Sequence, residues 1–164
     1  MKILTLIRHA KSSWNDPDLP DIERPLNARG RTDAPKMGRR LAATGFRPDL
    51  VLSSPAKRAR RTAKAIVREL QDGVTLSIEP ALYLAEPDEM LALIRQLGAS
   101  LSHVALVGHN PGLTDLARVL GASSIDNVPT GGVVRFELDV DDWRDVVPAK
   151  VRLIDFDYPK KAPA

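Results

Sequence analysis

The chain has 164 residues, 43% of them apolar and 27% charged, with a formal net charge of +3 and an isoelectric point near 9.4. This length favours a single domain with a core of its own, and the balance is ordinary for a soluble globular protein. The chain has no cysteine, which excludes disulfides, thiolate catalysis and thiolate-bound metals, and aromatics are only 4%. None of those aromatics interleaves with the basic clusters at 57–61 and, more loosely, 29–40, so no stacking platform for nucleic acid is visible and no nucleic-acid partner is expected.

The first element, Lys2 to Ile7, reads as a buried strand. Its apolar run is too short for a signal peptide or a membrane span, so a cytoplasmic location and no membrane partner are expected. The run ends abruptly in Arg8 and His9. Open α/β sheets bind ligands at strand carboxyl ends. The planar arginine fork suits a phosphate or carboxylate there, and the neighbouring imidazole suits a nucleophile or base.

Asn15 to Arg24, rich in Pro and Asp, reads as a loop. A helix is expected over Thr32 to Ala43, with Pro35 tolerated in its first turn. Asp49 to Ser53 is a short apolar strand. Pro55 to Leu70 reads as a helix with Ser54 as N-cap and Pro55 at the first helical position. Ala59, Ala63, Ile66, Val67 and Leu70 form its apolar face. The amides of its first turn favour an anion, and Arg58 can reach the same anion, whereas Arg60 and Arg61 read as a solvated face. Val74 to Ile78 is a further strand and Pro87 to Leu97 a helix. His103 to Val107 is another strand, followed by a turn and a helix over Leu113 to Leu120. Val133 to Val140 and Lys150 to Phe156 read as a late antiparallel pair. The alternation predicts a three-layer α/β/α sandwich with a mainly parallel sheet of about six strands and helices on both faces. The domain is expected to span 1–158, with 159–164 a disordered tail.

Ala105-Leu106-Val107-Gly108-His109 repeats the opening motif, an apolar strand ending in a histidine with a helix to follow. Gly108 lets the backbone approach a ligand closely. A lone histidine there is more often structural. Together with Arg8, His9 and Arg58 it makes a pocket of two imidazoles and two guanidiniums, which suits a phosphate trap with a nucleophile inside it.

Arg8-His9-Ala10, the segment Ser54-Pro55-x-x-Arg58-Ala59-x-x-Thr62-Ala63 and Gly108-His109-Asn110-Pro111 resemble the three signatures of the histidine phosphatase superfamily, also called phosphoglycerate mutase-like. Arg-His-Ala stands where Arg-His-Gly is usual. Lys11-Ser12-Ser13-Trp14-Asn15 is similar to the Glu-Ser-x-Trp-Asn of mutases, Arg24-Pro25-Leu26-Asn27-Ala28-Arg29-Gly30 to the next family segment, and Pro129-Thr130-Gly131-Gly132 to the turn before its late strands. The resemblance spans nearly the whole chain, in order. The short length and the small space between Thr75 and Ser102 resemble the SixA-type phosphohistidine phosphatases most.

The resemblance implies that His9 attacks phosphorus and becomes a phosphohistidine, with Arg8 and Arg58 holding the phosphoryl oxygens and His109 donating to them. Asn15 and Thr130 are candidate neutral donors, and Arg24 is a candidate third guanidinium. The expected substrate is a phosphorylated protein or small phosphorylated molecule, the product inorganic phosphate, and neither cofactor nor metal is needed. For the general acid, Ala81 stands where the family's carboxylate is expected. Glu86 is the first candidate and Glu79 the second, although Glu86 and Asp88 equally suit a cap for the helix beginning at Pro87. A weak or absent acid favours phosphohistidine, whose imidazole leaves readily once protonated. The alternatives are a non-catalytic phosphate-binding or interaction module and a mutase-type phosphotransferase.

Overall fold

The computed structural model describes residues 1–162. Six strands form one sheet: β1 (Lys2–Arg8), β2 (Leu50–Ser53), β3 (Thr75–Ile78), β4 (His103–Gly108), β5 (Val133–Leu138) and β6 (Val151–Asp157). Their order is β3-β2-β4-β1-β5-β6. The first four are mutually parallel, while β5 runs antiparallel to β1 and β6 to β5. The expected mainly parallel sandwich is therefore the fold, with the two antiparallel strands at one edge.

Residue alternation along the strands divides the core. Leu4, Leu6, Val104, Leu106 and Phe136 face one side, where they pack with α3 (Pro87–Arg95) and α4 (Gly112–Val119). Ile7, Val51, Ala105, Val107 and Val133 face the other, against α1 (Ala28–Ala43) and α2 (Lys57–Arg68). The chain leaves β1 through α1 on one face, and β4 continues into α4 on the opposite face. The neighbours β1 and β4 thus mark a topological switch point, where the diverging connections leave a crevice at the carboxyl ends of the strands.

Three local expectations are corrected. Helix α1 starts at Ala28, capped by the Asn27 side chain, which accepts from the Gly30 amide at 2.9 Å. Pro35 therefore lies inside the helix rather than in its first turn. Helix α2 begins at Lys57, two residues after Pro55, because Ser54 is drawn away to other partners and Ala56 takes the cap position without a side-chain bond. The tail expected from Pro159 is packed at its start. Pro159 is buried, its carbonyl accepts from Lys36 Nζ at 2.7 Å, and the Lys161 carbonyl accepts from Arg40 at 3.0 Å. Residues 163 and 164 lie outside the described residues. No described helix is long and apolar enough to cross a membrane.

Candidate active site

Register places the site. Arg8 pairs with Gly108 and Ser53 with Val107, so β1, β2 and β4 end level with one another. The residues that follow or close them, His9, Ser54 and His109, therefore meet at the crevice. The loop ends are tied to each other. The His9 amide donates to the Gly108 carbonyl at 3.1 Å, and the Gly131 amide donates to the carbonyls of Arg8 and His9. Gly131 takes a φ of 74°, a left-handed conformation that suits glycine in this turn.

Thr62 in α2 joins the two arms of the site. Its hydroxyl accepts from the Ala10 amide at 2.9 Å and donates to the Arg58 carbonyl at 2.8 Å. One buried side chain thereby fixes the backbone beside His9 to the backbone that carries Arg58.

The resulting pocket, of about 270 Å³, is lined by Arg8, His9, Trp14, Asp21, Arg24, Arg58, Leu84, His109 and Thr130, among others. His9 Nδ1 lies 2.7 Å from the Ala10 carbonyl. A carbonyl only accepts, so Nδ1 carries the proton and Nε2 keeps its lone pair. Burial, opposed by that carbonyl bond and assisted by the charges of His109, Arg58 and Arg8, pushes the His9 pKa down to about 3. His109 is lowered to about 4, by burial first and then by Arg58. Both rings are neutral at pH 7. His109 Nδ1 faces Arg58 Nη2 at 3.3 Å, so it accepts there, and Nε2 donates to Ser54 Oγ at 2.7 Å.

Arg8 donates through Nη1 to the Val128 carbonyl at 3.1 Å, and burial lowers its pKa. The Nε donors of Arg8 and Arg58 are buried without a partner among the described residues. Unpaired buried donors are costly, and here both belong to guanidiniums on the wall of one pocket.

Asp21, which the sequence reading did not single out, lies at the centre of the network. Its Oδ2 accepts from Arg58 Nη2 at 3.0 Å and from the Tyr83 hydroxyl at 2.5 Å, and its Oδ1 accepts from Arg24 Nε at 3.1 Å. Burial alone would raise the Asp21 carboxyl, but the hydrogen bonds from Tyr83, Arg58 and Arg24 outweigh it and hold the group at about 2. Arg24 is buried, also donates to Ser12 Oγ at 2.9 Å, and stacks at 3.5 Å on the ring of Trp14, a residue 72% exposed. Leu84, 54% exposed, stands at the rim with a φ of 51°, unusual for a leucine.

The structure thus brings Arg8, His9, Arg24, Arg58, His109 and Thr130 together and leaves three candidates, Asn15, Glu86 and Glu79, apart. Asn15 is exposed and lines a neighbouring hollow with Asn27 and Arg29. Glu86 is the N-cap of α3, its amide donating to Glu89 Oε1 at 3.0 Å, and it faces a different cavity with Asp115. Glu79 Oε1 likewise accepts from the Ala81 amide at 3.1 Å. Among the described residues no group of three or more His, Asp or Glu side chains is placed to hold a metal ion.

Residues 4–86 match the Histidine phosphatase superfamily (branch 1). An uncharacterized protein of Mycobacterium tuberculosis is 31% identical over 166 residues, covering 94% of this chain and all of the relative. An uncharacterized chloroplastic protein of Arabidopsis thaliana is 34% identical over 74% of this chain, which spans 60% of that relative's length. Among solved structures, one from Agrobacterium tumefaciens named for the phosphohistidine phosphatase SixA superposes with a TM-score of 0.83 at 31% identity, covering 99% of both chains.

Proposed function

The chain belongs to the histidine phosphatase superfamily and is of its SixA type, and from that premise we propose that it hydrolyses phosphohistidine on proteins, or small phosphorylated substrates, through a phosphohistidine intermediate at His9. The observation that carries this reading is the state of His9. Its Nδ1–H is tied to the Ala10 carbonyl, its Nε2 lone pair is free, and it sits beside two guanidiniums with unpartnered buried Nε donors. A neutral imidazole is a nucleophile at pH 7.

The reaction balances simply. His9 Nε2 bonds to phosphorus as the bond to the leaving group breaks, and the leaving atom takes a proton. Water then adds to phosphorus, His9 departs, and inorganic phosphate is released. Arg8, Arg58 and Arg24 spread positive charge over the phosphoryl oxygens, with Thr130 a further neutral donor. A bound dianion would raise the His109 pKa, so that His109 gains a proton at Nδ1 and donates to the same oxygens.

The substrate class follows from the proton. Glu79 and Glu86 serve helix termini, and Asp21 is held ionised by three donors. No pocket carboxyl is poised to protonate an alkoxide, whereas the imidazole of a phosphohistidine leaves well once protonated from solvent. A mutase would need cover to keep water from its phosphoenzyme. Only residues 79–86 separate β3 from α3, and the rim residues Trp14 and Leu84 are exposed.

The test is phosphate release from a phosphohistidine-bearing protein and from an aryl phosphate, with wild type and His9→Ala in parallel. Release from the phosphohistidine protein that vanishes in the variant is expected. Release that survives in His9→Ala overturns the assigned nucleophile, and no release from either substrate moves the reading to a phosphate-binding module.

A further inference from the structure

A cavity larger than the phosphate pocket lies elsewhere in the fold. A cleft of about 470 Å³ lies between α1 and α2, lined by Pro25, Leu26, Ala34, Pro35 and Ala65 and by the cations Arg31, Lys57, Arg61 and Arg68, with Glu69 as its one carboxylate. Glu69 is itself engaged by Arg39 at 3.7 Å. Of the cations, Arg31 donates to the Leu26 carbonyl. Lys57, Arg61 and Arg68 make no side-chain hydrogen bond or ion pair among the described residues. Arg61 is exposed, as the sequence alone reads it, and it also lines this cleft.

We propose that this cleft is an exosite for an acidic segment of a protein substrate, one that places carboxylates along α2 and an apolar side chain on the cleft floor. The inference rests on the reading of the neighbouring pocket as the phosphatase site.

Geometry favours an extended ligand. Lys57, Arg61, Ala65 and Arg68 recur at intervals of four, four and three, so they form one stripe of α2. At 1.5 Å per residue the cations span about 16 Å, which matches roughly five residues of extended polypeptide and far exceeds a single phosphate. The floor is apolar: Leu26 and Ala34 pack with Ala10, and Ala65 closes on them. Apolar walls with cations above fit a peptide that alternates acidic and apolar residues. The cleft contains no aromatic ring for a nucleobase to stack on.

The cleft also adjoins the site through consecutive residues. Arg24 and Arg58 line the phosphate pocket, while Pro25, Leu26 and Lys57 line the cleft. The shared wall is tied down, because the Ser13 amide donates to the Pro25 carbonyl at 2.8 Å and Ser12 bridges to Leu26. A chain whose phosphorylated residue enters the pocket therefore meets Lys57 first and Arg68 last.

The test measures binding and turnover separately on the full chain. The probe is a fluorescent octapeptide alternating glutamate and leucine, compared at low salt with a glutamine–leucine peptide and a single-stranded oligonucleotide of equal charge. Wild type is expected to prefer the acidic peptide, and Arg61→Glu/Arg68→Glu to bind it about tenfold more weakly, or ~1.4 kcal/mol. Lys150→Glu/Lys160→Glu, which changes net charge equally at exposed positions outside the cleft and off α2, should bind as wild type does. Arg61→Gln/Arg68→Gln gives the same reading if the charge-reversed variant does not fold. Turnover of a small phosphorylated substrate should be unchanged in all of them, and an acidic flank should lower KM for a phosphohistidine peptide in wild type and in the charge-matched control but not in the cleft variants. Equal binding of the neutral peptide, tighter binding of the oligonucleotide, or undiminished binding by the cleft variants would overturn the proposal. Because the octapeptide carries no phosphate, its binding is read whether or not the protein proves to be a phosphatase.

Discussion

Arg58→Ala tests the anion site most directly, because Arg60 two positions away provides a matched control. Arg58 is 3% exposed, its Nη2 meets Asp21 at 3.0 Å and His109 at 3.3 Å, and its Nε is buried without a partner. Arg60 points elsewhere, donating through Nε to the Pro55 carbonyl at 2.9 Å. If Arg58 gives the phosphoryl group two charge-assisted hydrogen bonds at about 1.5–3 kcal/mol each, its loss costs about 3–6 kcal/mol in the transition state. That corresponds to a fall of roughly 10²–10⁴ in kcat/KM. Arg60→Ala should remain within about twofold. Arg58→Lys keeps the charge but loses the fork and should fall between the two. The assay is kcat/KM on a phosphohistidine peptide, with thermal melts to confirm that each variant is folded. Equal losses at positions 58 and 60, or a folded Arg58→Ala within threefold of wild type, would refute the assignment.

Other outcomes are equally specific. His9→Ala should abolish turnover and leave a folded protein, read by circular dichroism beside the activity assay. Glu86→Ala should cost about 1 kcal/mol of stability through the cap of α3 and leave kcat unchanged, so a large fall in kcat would restore Glu86 as the acid. Acid should destabilise the protein early. The folded pKa values of His9 and His109, about 3 and about 4, lie below the ordinary 6.5. The unfolded chain therefore takes up protons first as pH falls. Stability is full above pH 6.5 and drops by up to about 1.4 kcal/mol per pH unit for each ring on the way down to those values. A melting temperature that stays level from pH 6.5 to 4.5 would contradict this, and His9→Asn/His109→Asn should flatten the slope.

The strands that carry the chemistry were legible because each is an apolar run broken by one basic or imidazole residue. Lys2 to Ile7 and His103 to Val107 needed no tertiary information. The start of α2 was not legible, because Ser54 satisfies the rules for an N-cap yet binds His109 Nε2, a partner 55 residues away. Asp21 was hidden for the same reason. In a loop rich in Pro and Asp it looks like turn chemistry, and only folding brings it to Arg58, 37 residues on, and to Tyr83, 62 residues on. Pro35 is a first-turn proline only for a helix that begins at Thr32, and α1 begins at Ala28. The true start depends on Gly30, where a Cβ would lie 2.1 Å from the Lys11 carbonyl oxygen, so that the first turn of α1 packs against the strand-end loop.

Charge and proton supply together narrow what this pocket can process. Arg8, Lys11, Arg24 and Arg58 contribute four positive charges and Asp21 removes one, while both histidines are neutral, leaving a net of three. For the proposed reaction, that sum offsets the charge of a bound phosphoryl dianion while His9 stays neutral. The same Asp21 that trims the charge also holds Arg58 and Arg24 in place, so its carboxylate is occupied as an acceptor and cannot serve as the acid. A site built this way stabilises the phosphoryl group strongly and assists the leaving group weakly. Its rates should therefore follow the basicity of the leaving atom steeply, falling from phosphoramidates through aryl phosphates to alkyl phosphates. Alkyl phosphates hydrolysed as fast as phosphohistidine would mean that the pocket acquires an acid only when substrate is bound, and His109, protonated beside the dianion, is the group placed to be that acid.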